Sequence, residues 1–157
     1  MTPADITAAD YGWIHALNKV HEVELSPLTP DGVAALVSEA TYARAIDGGA
    51  FLIGFDQDAS YDSPNFIWHR DRFDRFLYVD RIAVAATHRR RGLAAKLYED
   101  IFAFAAARGD HRVVCEVNSD PPNPASDAFH EALGCKLVGE ALLEDRGKTV
   151  RYLAKEL

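Results

Sequence analysis

Residues Tyr78 to Gly109, YVDRIAVAATHRRRGLAAKLYEDIFAFAAARG, limit the fold more than any other stretch of this chain. They read as a strand, a short basic turn and a long helix in immediate succession. Tyr78–Val84 is rich in β-branched and aromatic residues, which suit a pleated strand. Leu93, Leu97, Ile101 and Phe104–Ala105 recur at helical spacing and give the following segment one apolar face. Gly109 stands where a left-handed C-cap is expected.

The turn between them, Arg89-Arg90-Arg91-Gly92-Leu93-Ala94, has a chemistry of its own. A helix start leaves backbone N–H groups unpaired, and the helix dipole adds partial positive charge there. Gly92 has no Cβ, so a ligand can approach the backbone closely, and Ala94 keeps the next position small. Three arginines offer planar, permanently charged forks that match phosphate oxygens. The turn fits a pyrophosphate cradle, and on these six residues alone it fits a solvated basic helix start equally well. It is neither of two familiar phosphate loops: the chain has no G-x-x-x-x-G-K-[ST], and no G-x-G-x-x-G with a suitably placed acidic residue.

The rest of the chain alternates helices and strands. Asp5–Asp10 reads as a short strand or a lead-in, and Tyr11–Val23 as a helix. Ser26–Pro30 breaks the chain, and Thr29 or Asp31 can cap a second helix through about residue 40. Tyr42–Ile46 and Ala50–Phe55 read as a hairpin around Asp47-Gly48-Gly49. Asp56–Asp74 mixes aromatics and charges without a clean period, and a long irregular connection of that kind is often functional. Arg75–Ala86 is the central strand and Arg90–Gly109 the central helix. Arg112–Asn118 is another strand, and Asn123 or Ser126 can cap a helix ending near Leu133. Cys135–Glu144 and Thr149–Ala154 read as a closing hairpin around Asp145–Lys148. The expectation is an α/β sandwich on a mixed sheet, in one domain spanning 1–157.

With a net charge of −7, general nucleic-acid binding is not expected, and an acidic surface favours basic or amine-bearing partners. No apolar run reaches the roughly 20 residues of a membrane span, and Met1–Asp10 lacks the basic start and apolar stretch of a signal peptide. A cytoplasmic location follows by default. Cys115 and Cys135 are not spaced for a metal, His15, His21 and His111 carry no ligand spacing, and two cysteines make no disulfide framework. Both cysteines read as small hydrophobes in buried strands.

Arg89, Gly92 and Ala94 match the acyl-CoA-binding motif of the GNAT superfamily of N-acyltransferases, in which Arg or Gln is followed by two residues, Gly, one residue, and Gly or Ala. Val84 stands five residues before Arg89, where that family ends its split strand; Ala86 departs from a common proline. A second segment, Asn123 to Cys135, resembles the other GNAT signature: Asn123 takes the Asn place, and Leu133 and Gly134 keep the ending. His130 falls where the family has tyrosine, and Cys135 replaces an aromatic. The two signatures together span Arg75 to Cys135.

The resemblance implies a GNAT-like, mixed but mostly antiparallel central sheet with one splayed pair of strands, flanked by about four helices. It implies acetyl-CoA as co-substrate and no metal. Ile82, Ala83 and Val84 would then pair with the pantetheine arm. Arg89, Arg90, Arg91, Gly92, Leu93, Ala94 and Ala95 would surround the pyrophosphate, with Asn123 and Phe129 beside the pantetheine. Attack of an amine on a thioester needs a proton acceptor, an N–H for the developing oxyanion and an acid for the leaving thiolate. The carried-over oxyanion donor is the Val84 amide. His130 stands at the acid position, and a histidine serves there only in its protonated fraction. Its alternative is a packed histidine without a proton role.

For the base, Asp80 leads because it alternates with Tyr78, Ile82 and Val84 and shares their face if no bulge intervenes. Glu116 and His69 are the other candidates, and Tyr78 and Arg81 could instead shape the acceptor pocket. The expected activity is acetyl transfer to a primary amine of a small molecule or peptide. Arg70, Arg72 and Arg75 hint at an anionic acceptor. The alternative is a non-catalytic acyl-CoA-binding or sensing module. A homodimer remains open, and no membrane partner is expected.

Overall fold

The computed structural model describes residues 2–120, 122–143 and 147–157. Seven strands form one sheet: β1 (Ala4–Asp5), β2 (Tyr42–Ile46), β3 (Ala50–Asp56), β4 (Phe76–Val84), β5 (Arg112–Asp120), β6 (Lys136–Leu143) and β7 (Lys148–Glu156). Their spatial order is β1-β2-β3-β4-β5-β7-β6. Every neighbouring pair is antiparallel except β4 with β5. Among the described residues five α-helices cover the sheet: α1 (Tyr11–Val20), α2 (Pro30–Glu39), α3 (Pro64–Arg70), α4 (Leu93–Arg108) and α5 (Pro124–Ala132).

Local chemistry explains most of the boundaries. The Thr29 hydroxyl accepts from the Gly32 amide and Pro30 fills the first turn, so α2 starts where a capping residue precedes a proline. The Asn123 side chain caps α5 in the same way, accepting from the Ser126 amide. Gly109 closes α4 at φ 84°, a left-handed position where glycine avoids the Cβ penalty. The stretch 56–74 is less irregular than its sequence suggests. Ser63-Pro64 starts a seven-residue helix that buries Asn65, Phe66 and His69, and a helix this short with two polar residues on its buried face shows no apolar period. Cys115 lies buried within β5, whereas Cys135 is half-buried just ahead of β6. Half of the expected turn at 145–148, residues 145 and 146, lies outside the described residues.

The sheet separates two apolar cores. Leu93, Leu97, Tyr98, Ile101 and Ala105 of α4 pack on one face, with Phe129 and Leu133 against them. Ile14 and Leu17 of α1, Val33 of α2 and Phe66 of α3 pack on the other. A third, small cluster holds Trp68 against Leu143, Val150 and Tyr152. Trp68 stacks on Tyr152 with ring centroids 4.1 Å apart. Gly139 makes room for this: a Cβ there would stand 2.3 Å from Cζ2 of Trp68. The ring cannot give way without breaking its stack. Gly139→Ala is therefore expected to lower the stability read from a denaturant titration by about 2 kcal/mol, within the range of overpacked cores.

Candidate active site

The site begins where two strands part. β4 and β5 pair only at Phe76–Tyr78 with Arg112–Val114, and beyond Val114 β5 continues against β7 alone. The upper half of β4 thus has β3 on one side and a gap on the other. The Ala85 amide donates to the Gly49 carbonyl at 2.7 Å, and Val84 stands opposite Ala50. Alternation in an antiparallel ladder then turns the N–H and C=O of Val84 and Ile82 away from β3, into the gap. Ala83 is out of phase: its backbone faces β3 and its side chain is buried.

A bulge changes which side chains reach the gap. Val79 pairs with Gly54 and Arg81 with Ile53, so Asp80 is the extra residue. Parity switches across it. Leu77 and Val79 lie on the α4 face below the bulge, and Ile82 and Val84 lie there above it. Tyr78 lies on the opposite face. The expectation that Asp80 shares one face with Tyr78, Ile82 and Val84 therefore fails, because the bulge resets the alternation.

α4 starts above the gap. Arg89, Arg90, Arg91 and Gly92 are exposed, and Arg90 (φ 64°) and Gly92 (φ 70°) are both left-handed. The Lys96 amide makes the first bond back to Gly92, so the amides of Leu93, Ala94 and Ala95 have no acceptor within the helix. A Cβ on Gly92 would meet nothing within 4 Å, and no acidic side chain occupies the first turn. This is an open, positive concavity suited to a diphosphate. Leu93 contributes only backbone, its side chain being buried in the core.

Below the turn lies a cleft of about 440 Å³. Leu25, Pro27 and Leu28 wall one side of it, and Tyr78, Asp80, Glu116, Tyr98 and His130 reach it from the sheet and from α4 and α5. Oε1 of Glu116 accepts from the Tyr78 hydroxyl (2.8 Å) and the Asn65 amide (3.1 Å). The Tyr152 hydroxyl fixes that amide by donating to Asn65 Oδ1 at 2.9 Å. Burial, reinforced by Glu116, pushes the Tyr78 phenol well up, so it remains a donor.

Asp80 is committed elsewhere. Oδ1 accepts from the Tyr61 hydroxyl at 2.7 Å and Oδ2 from Nε of Arg81 at 2.8 Å, with side chains only 5% and 3% exposed. Arg81 continues to Oδ1 of Asn18 and the Ser26 carbonyl, so this pair ties the α1–α2 connection to β4.

On the α4 face, Nδ1 of His130 lies 2.7 Å from the Ser126 carbonyl and Nε2 lies 3.1 Å from the Tyr98 hydroxyl. Burial pushes the His130 imidazole below its ordinary value, partly opposed by the Ser126 contact. Phe129 packs edge-on against Tyr98 and His130 rather than entering the cleft. Asn123 lines the cleft, but its carbonyl oxygen is spent on capping α5.

The three arginines expected to attract an anionic acceptor do not reach this cleft. Arg70 lies over the Phe66 ring, Arg72 over the Trp68 ring at 4.0 Å, and Arg75 donates to the Arg108 carbonyl. The short helix α3 and the turn that follows it leave Arg70 and Arg72 exposed, where stacking on aromatics outcompetes convergence. Tyr61, one of the aromatics of 56–74, does line the cleft, whereas sequence reasoning passed over Asn65 and Tyr98. Tyr98 was legible in principle, as a polar-tipped aromatic four residues after Ala94 and three before Ile101, on the apolar stripe of α4.

Among the described residues no three His, Cys, Asp or Glu side chains gather as a metal site, and no helix is long and apolar enough to cross a membrane. The fold is similar to that of Ard1 from Thermoplasma volcanium, with a TM-score of 0.76 at 15% identity over 99% of this chain and 97% of that one. It is similar to the ribosomal-protein-S18-alanine N-acetyltransferase from Escherichia coli, with a TM-score of 0.69 at 18% identity over 99% and 92%. It is also similar to yncA from Salmonella typhimurium with its cofactor acetyl-CoA, with a TM-score of 0.72 at 18% identity over 100% and 94%. No curated protein matches the sequence. Residues 41–135 match the acetyltransferase (GNAT) family, a segment running from β2 through the parted strands and the basic turn to the end of α5. The chain belongs to that family of acetyl-CoA-dependent N-acetyltransferases.

Proposed function

We propose that this protein transfers the acetyl group of acetyl-CoA to a primary amine of a small molecule or peptide through the gap between β4 and β5. The observation that carries this reading is the outward-facing backbone of Ile82 and Val84 directly below the open amides of α4. The amides of residues 90–95 and the flanking arginines would hold the pyrophosphate, and the strand edge would hold the pantetheine arm. Acetyl-CoA supplies the activated acyl carbon. The Val84 N–H faces the oxygen that gains charge. Glu116, held by Tyr78 and Asn65, is the group proposed to take the proton from the amine. It replaces Asp80 in that role because the Asp80 carboxylate is neutralised by its ion pair with the buried Arg81.

The cleft lining carries Glu24, Asp62, Asp80 and Glu116 against Arg81, which speaks for an acceptor without net negative charge. The non-catalytic reading predicts binding without turnover. Coenzyme A at a hundred times its Kd is expected to stabilise the fold by about 2.7 kcal/mol, read as a rise in Tm. Adding primary amines to acetyl-CoA is expected to release thiol well above hydrolysis. Gly92→Val forces a β-branched residue into a left-handed position and puts methyl groups where the ligand approaches. It is expected to weaken coenzyme A binding at least tenfold. Unchanged affinity in that variant overturns the assignment of the turn, and binding without thiol release returns the protein to the non-catalytic class.

A further inference from the structure

Acetyl transfer leaves a thiolate, and a proton donor must meet it. The two faces of the sheet divide the candidates. Tyr78 lies on the α1–α3 face and donates to Glu116; Tyr61 packs on that face too and donates to Asp80. Tyr98 and His130 lie on the other, one from α4 and one from α5. A carbonyl oxygen only accepts, so the proton on His130 sits on Nδ1 and is committed to Ser126. Nε2 is then a bare acceptor, and what it accepts is the Tyr98 O–H. His130 is buried, and its imidazole has no proton left to aim at a sulfur. The phenol of Tyr98 is the mobile one.

Depth agrees with this. Tyr98 is five residues into α4 from Leu93, about 7.5 Å below the amides at its start. Ile82 is two residues back from Val84, about 7 Å along the strand. Both line the same cleft. On the proposed acetyl-transfer reading, on which this inference rests, an acyl group passing through the gap has Glu116 on one side and Tyr98 on the other.

We propose that Tyr98 is the catalytic residue that gives its proton to the departing sulfur of coenzyme A, and that His130 is a positioning residue that holds the Tyr98 hydroxyl. When the carbon–sulfur bond breaks, the electron pair stays on sulfur. The Tyr98 O–H turns from Nε2 to that sulfur, because a hydrogen bond to an anion is roughly twice as strong as one between neutral groups. The proton passes to sulfur, and the proton that Glu116 takes from the attacking nitrogen is returned to the phenol, so both residues end the turnover as they began. One amine N–H and one thioester become one amide and one thiol. Burial pushes the Tyr98 phenol well up, so it stays loaded with its proton and the refilling accompanies the transfer.

The test compares Tyr98→Phe, His130→Gln and His130→Leu with the unmodified protein, measuring thiol release from acetyl-CoA with spermidine, benzylamine and a hexapeptide bearing a free α-amino group. Tyr98→Phe is expected to lower kcat about 100-fold, with the KM for acetyl-CoA and the coenzyme A-dependent rise in Tm unchanged. His130→Gln keeps an acceptor for the hydroxyl and is expected to retain most of kcat. His130→Leu is expected to lose about tenfold in kcat at unchanged KM, the misorientation of one hydrogen bond to an ionic partner costing that much. Full kcat in Tyr98→Phe overturns the proposal. Equal losses in both His130 variants overturn it in favour of the imidazole as acid, and that comparison stands even if Tyr98→Phe fails to fold. A wild-type protein that binds coenzyme A but releases no thiol with any amine overturns the transfer reading instead.

Discussion

Glu116→Gln lowers kcat by about two to three orders of magnitude while leaving the coenzyme A-dependent rise in Tm intact. The substitution is isosteric and keeps an oxygen at Oε1 to accept from the Tyr78 hydroxyl and the Asn65 amide. What it removes is the capacity to take a proton. Asp80→Asn is the matched comparison. Its carboxylate is 5% exposed and paired with an equally buried Arg81 that also binds Asn18 and Ser26. Removing the charge leaves a buried guanidinium uncompensated, a loss of about 3 kcal/mol. The Asp80 variant is therefore expected to unfold at lower denaturant, and the Glu116 variant to be stable and slow. Steady-state kinetics beside a denaturant titration separates the two carboxylates. The assignment fails if the Glu116 variant keeps its rate.

His69→Leu flattens the acid side of the stability curve. His69 is fully buried among Trp68, Phe73, Phe76, Tyr78 and Tyr152, and burial pushes its imidazole down to about 3. Its folded value lies below the unfolded one, near 6.5. Above pH 6.5 both states hold a neutral ring, and the full stability is present. As the pH falls through 6.5 toward 3, the unfolded chain takes up a proton that the folded chain refuses, so stability is lost. The slope is about 1.4 kcal/mol per pH unit, which gives about 3 kcal/mol between pH 7 and pH 4. Denaturant titrations at those two pH values are expected to show the wild type losing about that much more than His69→Leu. Equal losses in the two proteins would show that the ring protonates in place.

Local chemistry made much of this architecture readable. The Thr29-Pro30 start of α2, the Asn123 cap of α5, the glycine end of α4 and the hairpin at Asp47–Gly49 each follow from residues within one turn of the feature they create. The basic turn belongs with them, because exposed amides at a helix start depend on a glycine and on the lack of an acidic residue in the first turn. α3 escaped because two of its three buried residues, Asn65 and His69, are polar, which hides the amphipathic period.

The chemistry of the cleft was less legible, and the reason is sequence separation. Glu116 meets Tyr78 across 38 residues and Asn65 across 51, and Tyr98 meets His130 across 32. One inserted residue at the bulge moved Asp80 from the expected base position into an ion pair, and no pattern of alternation foretells where a strand gains a residue. The order of elements, the apolar stripe of α4 and the anion-ready turn were determined by the sequence alone, through interactions a few residues apart. Which carboxylate faces the gap, which phenol stands across from it and where the loop arginines point were decided only when β4 and β5 parted and the helices settled on their two faces, since those partners meet through packing rather than along the chain.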